Sequence, residues 1–196
     1  MFHEQKKDPI IRGELLAKAT DYVVANGLAS LSLRPLAEAI GTSARMLIYH
    51  FGSKEALIAE ILALAEHQAL AVLTEQIRQQ DDPVAALEQF WIQLTSADTD
   101  QFLRTAFEVW GLALVHPEEF APFLDSVVSQ WTSMLTGELQ QAGLPETQCE
   151  STATLIVAAM HGLVLNRLTT GNNVVAQQAF QQLVNWLRHE LAIERG

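Results

Sequence analysis

The 196-residue chain is 49% hydrophobic and 18% charged with only 10 glycines and 6 prolines, which supports a substantial core and excludes collagenous, linker-like or globally disordered chains. Its single cysteine, Cys149, excludes an internal disulfide and a cysteine-based metal cluster and fits a reducing compartment. The formal net charge of −11 would argue against a polyanionic partner if it were spread evenly, and it is not.

Residues 1–60 hold seven basic and seven acidic side chains, and all four lysines (Lys6, Lys7, Lys18 and Lys54) lie there. The acidity therefore belongs to residues 61–196, and a neutral leading segment can still present one basic face. The opening MFHEQKKDPIIRGELL has no apolar core of a secretory signal. The longest apolar stretch, around Thr154–Leu165, is shorter than the roughly 18 residues of a membrane span and contains His161. A cytoplasmic protein without a membrane partner is expected.

Apolar residues recur at helical spacing along nearly the whole chain and β-branched alternation is absent, so the fold class is all-α with about nine helices. The first helix spans about Ile10–Asn26, with Ile11, Leu15, Ala19, Tyr22 and Val23 inward and Gly27 ending it in the left-handed conformation. Ser32 is placed to cap a helix over Leu33–Ile40, whose first turn tolerates Pro35. Gly41 permits a sharp turn, Ser43 caps a third helix over Ala44–Phe51, and Gly52-Ser53 breaks it. A long amphipathic helix runs from Lys54 to about Gln80 and stops at Asp81-Asp82-Pro83. Further helices are expected at about 84–96, 99–115, 118–142, 147–170 and 174–192, separated by Asp98, His116-Pro117, Gly143-Leu144-Pro145 and Gly171-Asn172-Asn173.

Short helix, glycine turn, short helix is the helix-turn-helix plan. Leu36, Ile40, Leu47 and Phe51 have the spacing to close a small core with the first helix, and Ala37 is small where two helices approach. The outward positions of the third helix are expected to be Ala44, Arg45, Met46, Tyr49 and His50. Arg45 supplies a bidentate donor fork, Met46 an apolar contact for a thymine methyl, and Tyr49 and His50 groups able to bond phosphates. Ser43 and Lys54 begin helices, where backbone N–H groups and the positive dipole end attract phosphate oxygens. Periodicity by itself would equally describe a small packing unit with solvated charges; it is the N-cap, Ala37, Gly41 and the non-acidic face together that point to DNA.

The pattern Leu33-x-x-Leu36-Ala37-x-x-x-Gly41-x-Ser43-x-x-x-Leu47-x-Tyr49-His50-Phe51-x-x-Lys54-Glu55-x-Leu57 resembles the DNA-binding domain of the TetR family of bacterial transcriptional regulators over about residues 10–60. The resemblance implies a homodimer on a palindromic double-stranded operator, usually repressing and released when a small molecule binds the C-terminal domain. It divides the chain into a DNA-binding domain at 1–53 and an effector and dimerisation domain at 54–196. By position, Ser32, Ser43, Tyr49, His50 and Lys54 would hold phosphates, and Ala44, Arg45 and Met46 would face bases. Ile48 stands where the family often has Tyr, and Arg45 where small residues are common, so a G-containing half-site is expected. Ligand binding is expected to move the helix starting at Lys54 and change the spacing of two recognition helices from the about 34–36 Å that B-form DNA requires.

Between residues 151 and 187 the only formal charge is Arg167, so these two helices are expected to be covered by the domain or by a second copy. Leu155, Ala159, Gly162, Leu163, Phe180, Leu183, Val184 and Leu187 suit a four-helix bundle between two protomers. Phe90, Trp91, Phe102, Phe107, Trp110, Phe120, Phe123 and Trp131 cluster in the middle helices and read either as plain core or as an apolar ligand cavity. For the cavity, the candidates are Phe90, Gln93, Leu94, Arg104, Phe107, Glu108, Trp110, Trp131, Met160, His161 and Asn166. His161 interrupts an apolar run and is either hydrogen-bonded in the core or in reach of a ligand or partner.

No phosphate-binding glycine loop, Gly-x-Ser-x-Gly or His-Glu-x-x-His motif is present, and Cys149 lies beside Glu146 and Glu150, which disfavour a thiolate. No catalytic residue, metal site or cofactor is assigned. Two alternatives stay open: a helix-turn-helix regulator without a small-molecule effector, and an all-helical carrier or enzyme for an apolar ligand.

Overall fold

The computed structural model describes residues 9–27, 31–80, 82–115 and 117–193; the side chains of residues 80, 112, 118–126 and 193 lie outside that description. The described residues form nine α-helices and no strand: α1 (Pro9–Asn26), α2 (Leu33–Ala39), α3 (Ala44–Phe51), α4 (Lys54–Gln80), α5 (Pro83–Leu94), α6 (Asp100–Val115), α7 (Pro117–Gln141), α8 (Glu146–Thr170) and α9 (Asn173–Ile193). A single 3-10 turn, Ala97–Thr99, leads into α6.

Local chemistry sets most helix ends. Gly27 closes α1 at φ 75°, a conformation that would strain any residue with a Cβ. Ser43 accepts a hydrogen bond from Met46 N at 3.2 Å and so caps α3. Asp82 caps α5 by accepting from Val84 N (2.9 Å) and Ala85 N (3.3 Å), with Pro83 behind it in the first turn. Ser32 occupies the N-cap position of α2 with extended backbone, but its side chain makes no capping hydrogen bond, unlike the expectation for it.

The chain forms two compact units, residues 1–66 with 101–124 and residues 67–100 with 125–196. The first unit keeps the first half of α4 and takes in α6 from Gln101 onward with the opening of α7, while Asp100 belongs to the second unit. In that unit Leu15, Ala19 and Val23 of α1 are buried at i, i+4 spacing with Leu36, Leu47, Phe51, Leu57 and Ile61. Ile11, expected inward, is 47% exposed. At that end of α1 the inward position is taken by Arg12, whose guanidinium lies 4.9 Å over the Phe51 ring.

The second unit packs α9 against α8 and α5. Trp91 of α5 stacks on Phe180 of α9 with centroids 4.5 Å apart and ring planes 7° apart, and its indole N–H donates to Gln177 Oε1 at 2.7 Å. Arg188 pairs with Glu88 across the same two helices. Arg167 is 5% exposed in α8 and pairs with Asp100 at the start of α6.

Lys54–Gln79 and Glu146–Thr170 are each long and apolar enough to cross a bilayer by length and composition, a property that core helices share. Counting uninterrupted apolar runs missed both, because a window of spanning length tolerates a charge or two.

Candidate functional site

Leu36 and Leu47 are fully buried, and each such burial is worth about 1.5–3 kcal/mol, so the α2–α3 corner is pinned by its own core. Thr42 N donates to Ala37 O at 2.8 Å where Gly41 (φ 75°) turns the chain between the two helices. The register of α3 follows from this anchoring. Residues Leu47, His50 and Phe51 face inward, while Arg45, Met46, Ile48 and Tyr49 face outward, the last three about 40% exposed.

The expected set divides accordingly. Arg45, Met46 and Tyr49 share the exposed arc, Ser43 and Ser32 are exposed, and Ala44 and Lys54 are half-buried. His50 is a correction: it is only 3% exposed and cannot belong to an outward face. At about 100° per residue it sits some 60° from Leu47 on the helix, on the core side. Its ring meets Tyr49 edge-on at 5.1 Å and Phe51 at 6.4 Å. Ile48, which the expectation did not place outward, completes the exposed arc at 40%. No acidic residue occurs between Gly41 and Lys54, so nothing on this face repels a phosphate backbone.

Sequence reasoning missed a cluster behind this face. Arg12 donates to both carboxylate oxygens of Glu60 at 2.5 and 2.6 Å, and its Nε reaches the His50 carbonyl at 3.4 Å. These partners lie 38 and 48 residues apart, beyond the reach of any helical periodicity.

The expected ligand residues differ in burial and are divided between the two units. Gln93, Arg104, Glu108 and Asn166 are exposed, since their polar ends are hydrated more cheaply at the surface than inside. Arg104, Phe107, Glu108 and Trp110 belong to the first unit, and Phe90, Gln93, Leu94, Trp131, Met160, His161 and Asn166 to the second. Phe107, Trp110 and Leu94 are half-buried, and the side chains of Phe120 and Phe123 lie outside the described residues. Within the second unit Phe90 and Trp131 are buried with centroids 5.4 Å apart, and Met160 is buried. His161 Nδ1 lies 2.8 Å from the Val157 carbonyl, which can only accept, so Nδ1 carries the proton.

The expected dimer set also splits. Phe180, Val184 and Leu187 are 1–2% exposed within a single chain, a correction: α9 uses them against α5 and α8, leaving nothing for a partner to cover. Leu155 (49%) and Gly162 are exposed, and Ala159, Leu163 and Leu183 are half-buried. Leu155, Ala158, Ala159, Gly162, Leu163 and Leu165 (44%) make an uncharged outer stripe on α8, continued by Val174 (67%) and Val175 (51%) at the start of α9.

Cys149 is 1% exposed, its thiol donates to the carbonyls of Leu144 and Pro145, and burial, then the Glu146 charge, pushes its pKa up. Among the described residues no group of three His, Cys, Asp or Glu could hold a metal ion.

Residues 15–61 match the family model of bacterial regulatory proteins of the tetR family, and residues 83–182, just over half of the chain, match that of the LmrA/YxaF-like transcriptional regulator C-terminal domain. No curated protein sequence matches significantly. Among solved structures, the TetR transcriptional regulator from Legionella pneumophila is 18% identical with a TM-score of 0.62, covering 94% of this chain and 98% of its own. A transcriptional regulator from Rhodococcus sp. Rha1 is 22% identical at 0.65, covering 93% and 95%. The multidrug binding protein EbrR, complexed with proflavin, is 20% identical at 0.67, covering 90% and 98%. At these identities the likeness is one of fold.

Proposed function

The chain belongs to the TetR family of bacterial regulatory proteins, and from that premise we propose that this DNA-binding regulator is a cytoplasmic repressor, a homodimer on a palindromic operator released by a largely apolar small molecule. The observation that carries the DNA-reading part is the outward arc of α3, which presents Arg45, Met46, Ile48 and Tyr49 from a buried Leu47 anchor with no carboxylate between Gly41 and Lys54. Arg45 and Met46, with Ala44 beside them, read base edges; Ser32, Ser43, Tyr49 and Lys54 hold phosphates. His50 supports this face from beneath.

One short helix covers few base pairs, so two copies are needed, and the uncharged stripe of Leu155, Ala158, Gly162 and Leu165 is the surface they share. A ligand reaches the aromatic part of the second unit near Phe90, Trp131 and Met160, and its effect travels along α4, which runs from one unit into the other. EbrR was solved with proflavin, which makes proflavin a first probe for this chain.

Selection from randomised duplexes tests the reading. It should enrich palindromes with half-sites about 10–10.5 base pairs apart, or a multiple of that. Failure to enrich any duplex would sink it. A second reading, a regulator without an effector, is favoured by the outward placement of Gln93, Arg104, Glu108 and Asn166. A screen in which neither proflavin nor any apolar compound releases the selected duplex would select that reading.

A further inference from the structure

The recognition helix meets α4 through two residues, Gly52 and Ser53, and Gly52 has φ 90°. Such a joint fixes little by itself, because glycine has the widest backbone freedom of any residue. Yet reading base edges requires α3 to be held to a fraction of an ångström and a few degrees. Buried Phe51 on one side and Leu57 and Ile61 on the other hold the two helices in one core, and a directional contact is needed to fix their angle more finely.

We propose that Arg12 is that brace, a positioning residue that locks α3 to α4 across the Gly52-Ser53 joint and thereby sets how selectively the operator is read. Its guanidinium touches both sides. On the α3 side it lies 4.9 Å over the ring of Phe51, the last residue of the helix, and donates to the His50 carbonyl at 3.4 Å. That carbonyl belongs to the last turn, whose oxygens have no partner within the helix, and a cation there also meets the negative end of the dipole. On the α4 side it donates to both oxygens of Glu60, nearly two turns beyond the joint. The planar guanidinium makes the arrangement directional, since one face stacks while Nη2 meets both Glu60 oxygens and Nε meets the His50 carbonyl. Arg12 itself is carried by α1, which the buried Leu15, Ala19 and Val23 hold in the same unit. Any rotation of α4 therefore reaches α3 through Glu60 and Arg12 as well as through the chain.

The inference rests on the DNA-reading proposal, and its test separates the two. The full-length protein and the variants Arg12→Gln, Arg12→Lys, Glu60→Gln and Arg12→Gln/Glu60→Gln are titrated, at one salt concentration, against the duplex selected with the unaltered protein and against a scrambled duplex. Thermal unfolding is followed in parallel. Arg12→Gln should weaken selected-duplex binding by ~10-fold or more while scrambled-duplex binding changes by less than ~2-fold, because phosphate contacts remain and base contacts are misaligned. Arg12→Lys keeps the charge but not the fork and should recover only part of the loss. Glu60→Gln should lower selectivity in the native background and add nothing once Arg12 is Gln, since it acts through Arg12. If Arg12→Gln does not fold, Glu60→Gln carries the test alone. Equal weakening on both duplexes, an unchanged selectivity ratio, or additive effects of the two substitutions would overturn the brace. A native protein that prefers no duplex overturns the DNA reading itself.

Discussion

Removing either partner of the Arg167–Asp100 pair should cost very different amounts. The Arg167 side chain is 6% exposed and that of Asp100 35%. Arg167 Nε is buried and makes no hydrogen bond, so its carboxylate partner supplies most of what replaces its hydration. Asp100→Ala would strand that guanidinium, a situation that costs about 3–5 kcal/mol. Arg167→Met leaves a carboxylate that is one-third exposed and sits in the first turn of α6, where the helix dipole favours it, so about 1 kcal/mol is expected. For a chain of this length about 2–4 °C of Tm accompanies each kcal/mol, which places Asp100→Ala at about 6 °C or more below the unaltered protein and Arg167→Met at about 2–4 °C. The double variant carries the sharper sign: adding Arg167→Met to Asp100→Ala should raise Tm, because it removes the stranded charge. Calorimetry at one protein concentration reads all four species, the concentration being fixed because association shifts apparent stability. A double variant less stable than Asp100→Ala, or an Arg167→Met loss as large as that of Asp100→Ala, would refute the reasoning.

Three other outcomes follow from the local geometry. Ser43→Ala removes the hydroxyl that caps Met46 N and should destabilise the protein by about 1 kcal/mol in denaturant unfolding, with a larger loss of operator affinity if the same hydroxyl meets a phosphate. Gly27→Ala drives a Cβ against Gln101 Nε2 and to 2.6 Å from its Cγ at a left-handed φ of 75°, and should cost about 1–2 kcal/mol, part of it restored by Gln101→Ala, which relieves the clash but not the backbone strain. Cys149, buried and with its pKa raised, should resist a thiol reagent in the folded protein and react at the rate of unfolding; rapid labelling of the native protein would show the site to be open.

The helices were legible because each carries its own punctuation. Ala44–Phe51 and Lys54–Gln80 match the expected spans, since Ser43, Gly52-Ser53 and Pro83 act within a few residues of the ends they set. The outward arc of α3 was legible for the same reason, apart from His50, whose polar side chain suggested solvent while the helical angle from Leu47 put it inside. The second unit was read less well. An apolar stripe states that a helix is covered, not by what, so Phe180, Val184 and Leu187 looked like a partner surface and are core of the same chain. Arg12–Glu60 and Arg167–Asp100 join residues 48 and 67 positions apart, and only the fold brings such pairs together.

The central claim is that α3 reads bases through Arg45 from a face that Lys54 helps hold on the phosphates. Its most direct test is the affinity of the unaltered protein and of Arg45→Ala and Lys54→Ala for the selected duplex and every single-base-pair replacement of its half-site. Arg45→Ala should erase about 1–3 kcal/mol of discrimination at one base pair per half-site and leave the other positions ranked as before, while Lys54→Ala should weaken all duplexes alike. A ranking that Arg45→Ala leaves untouched at every position would contradict the account.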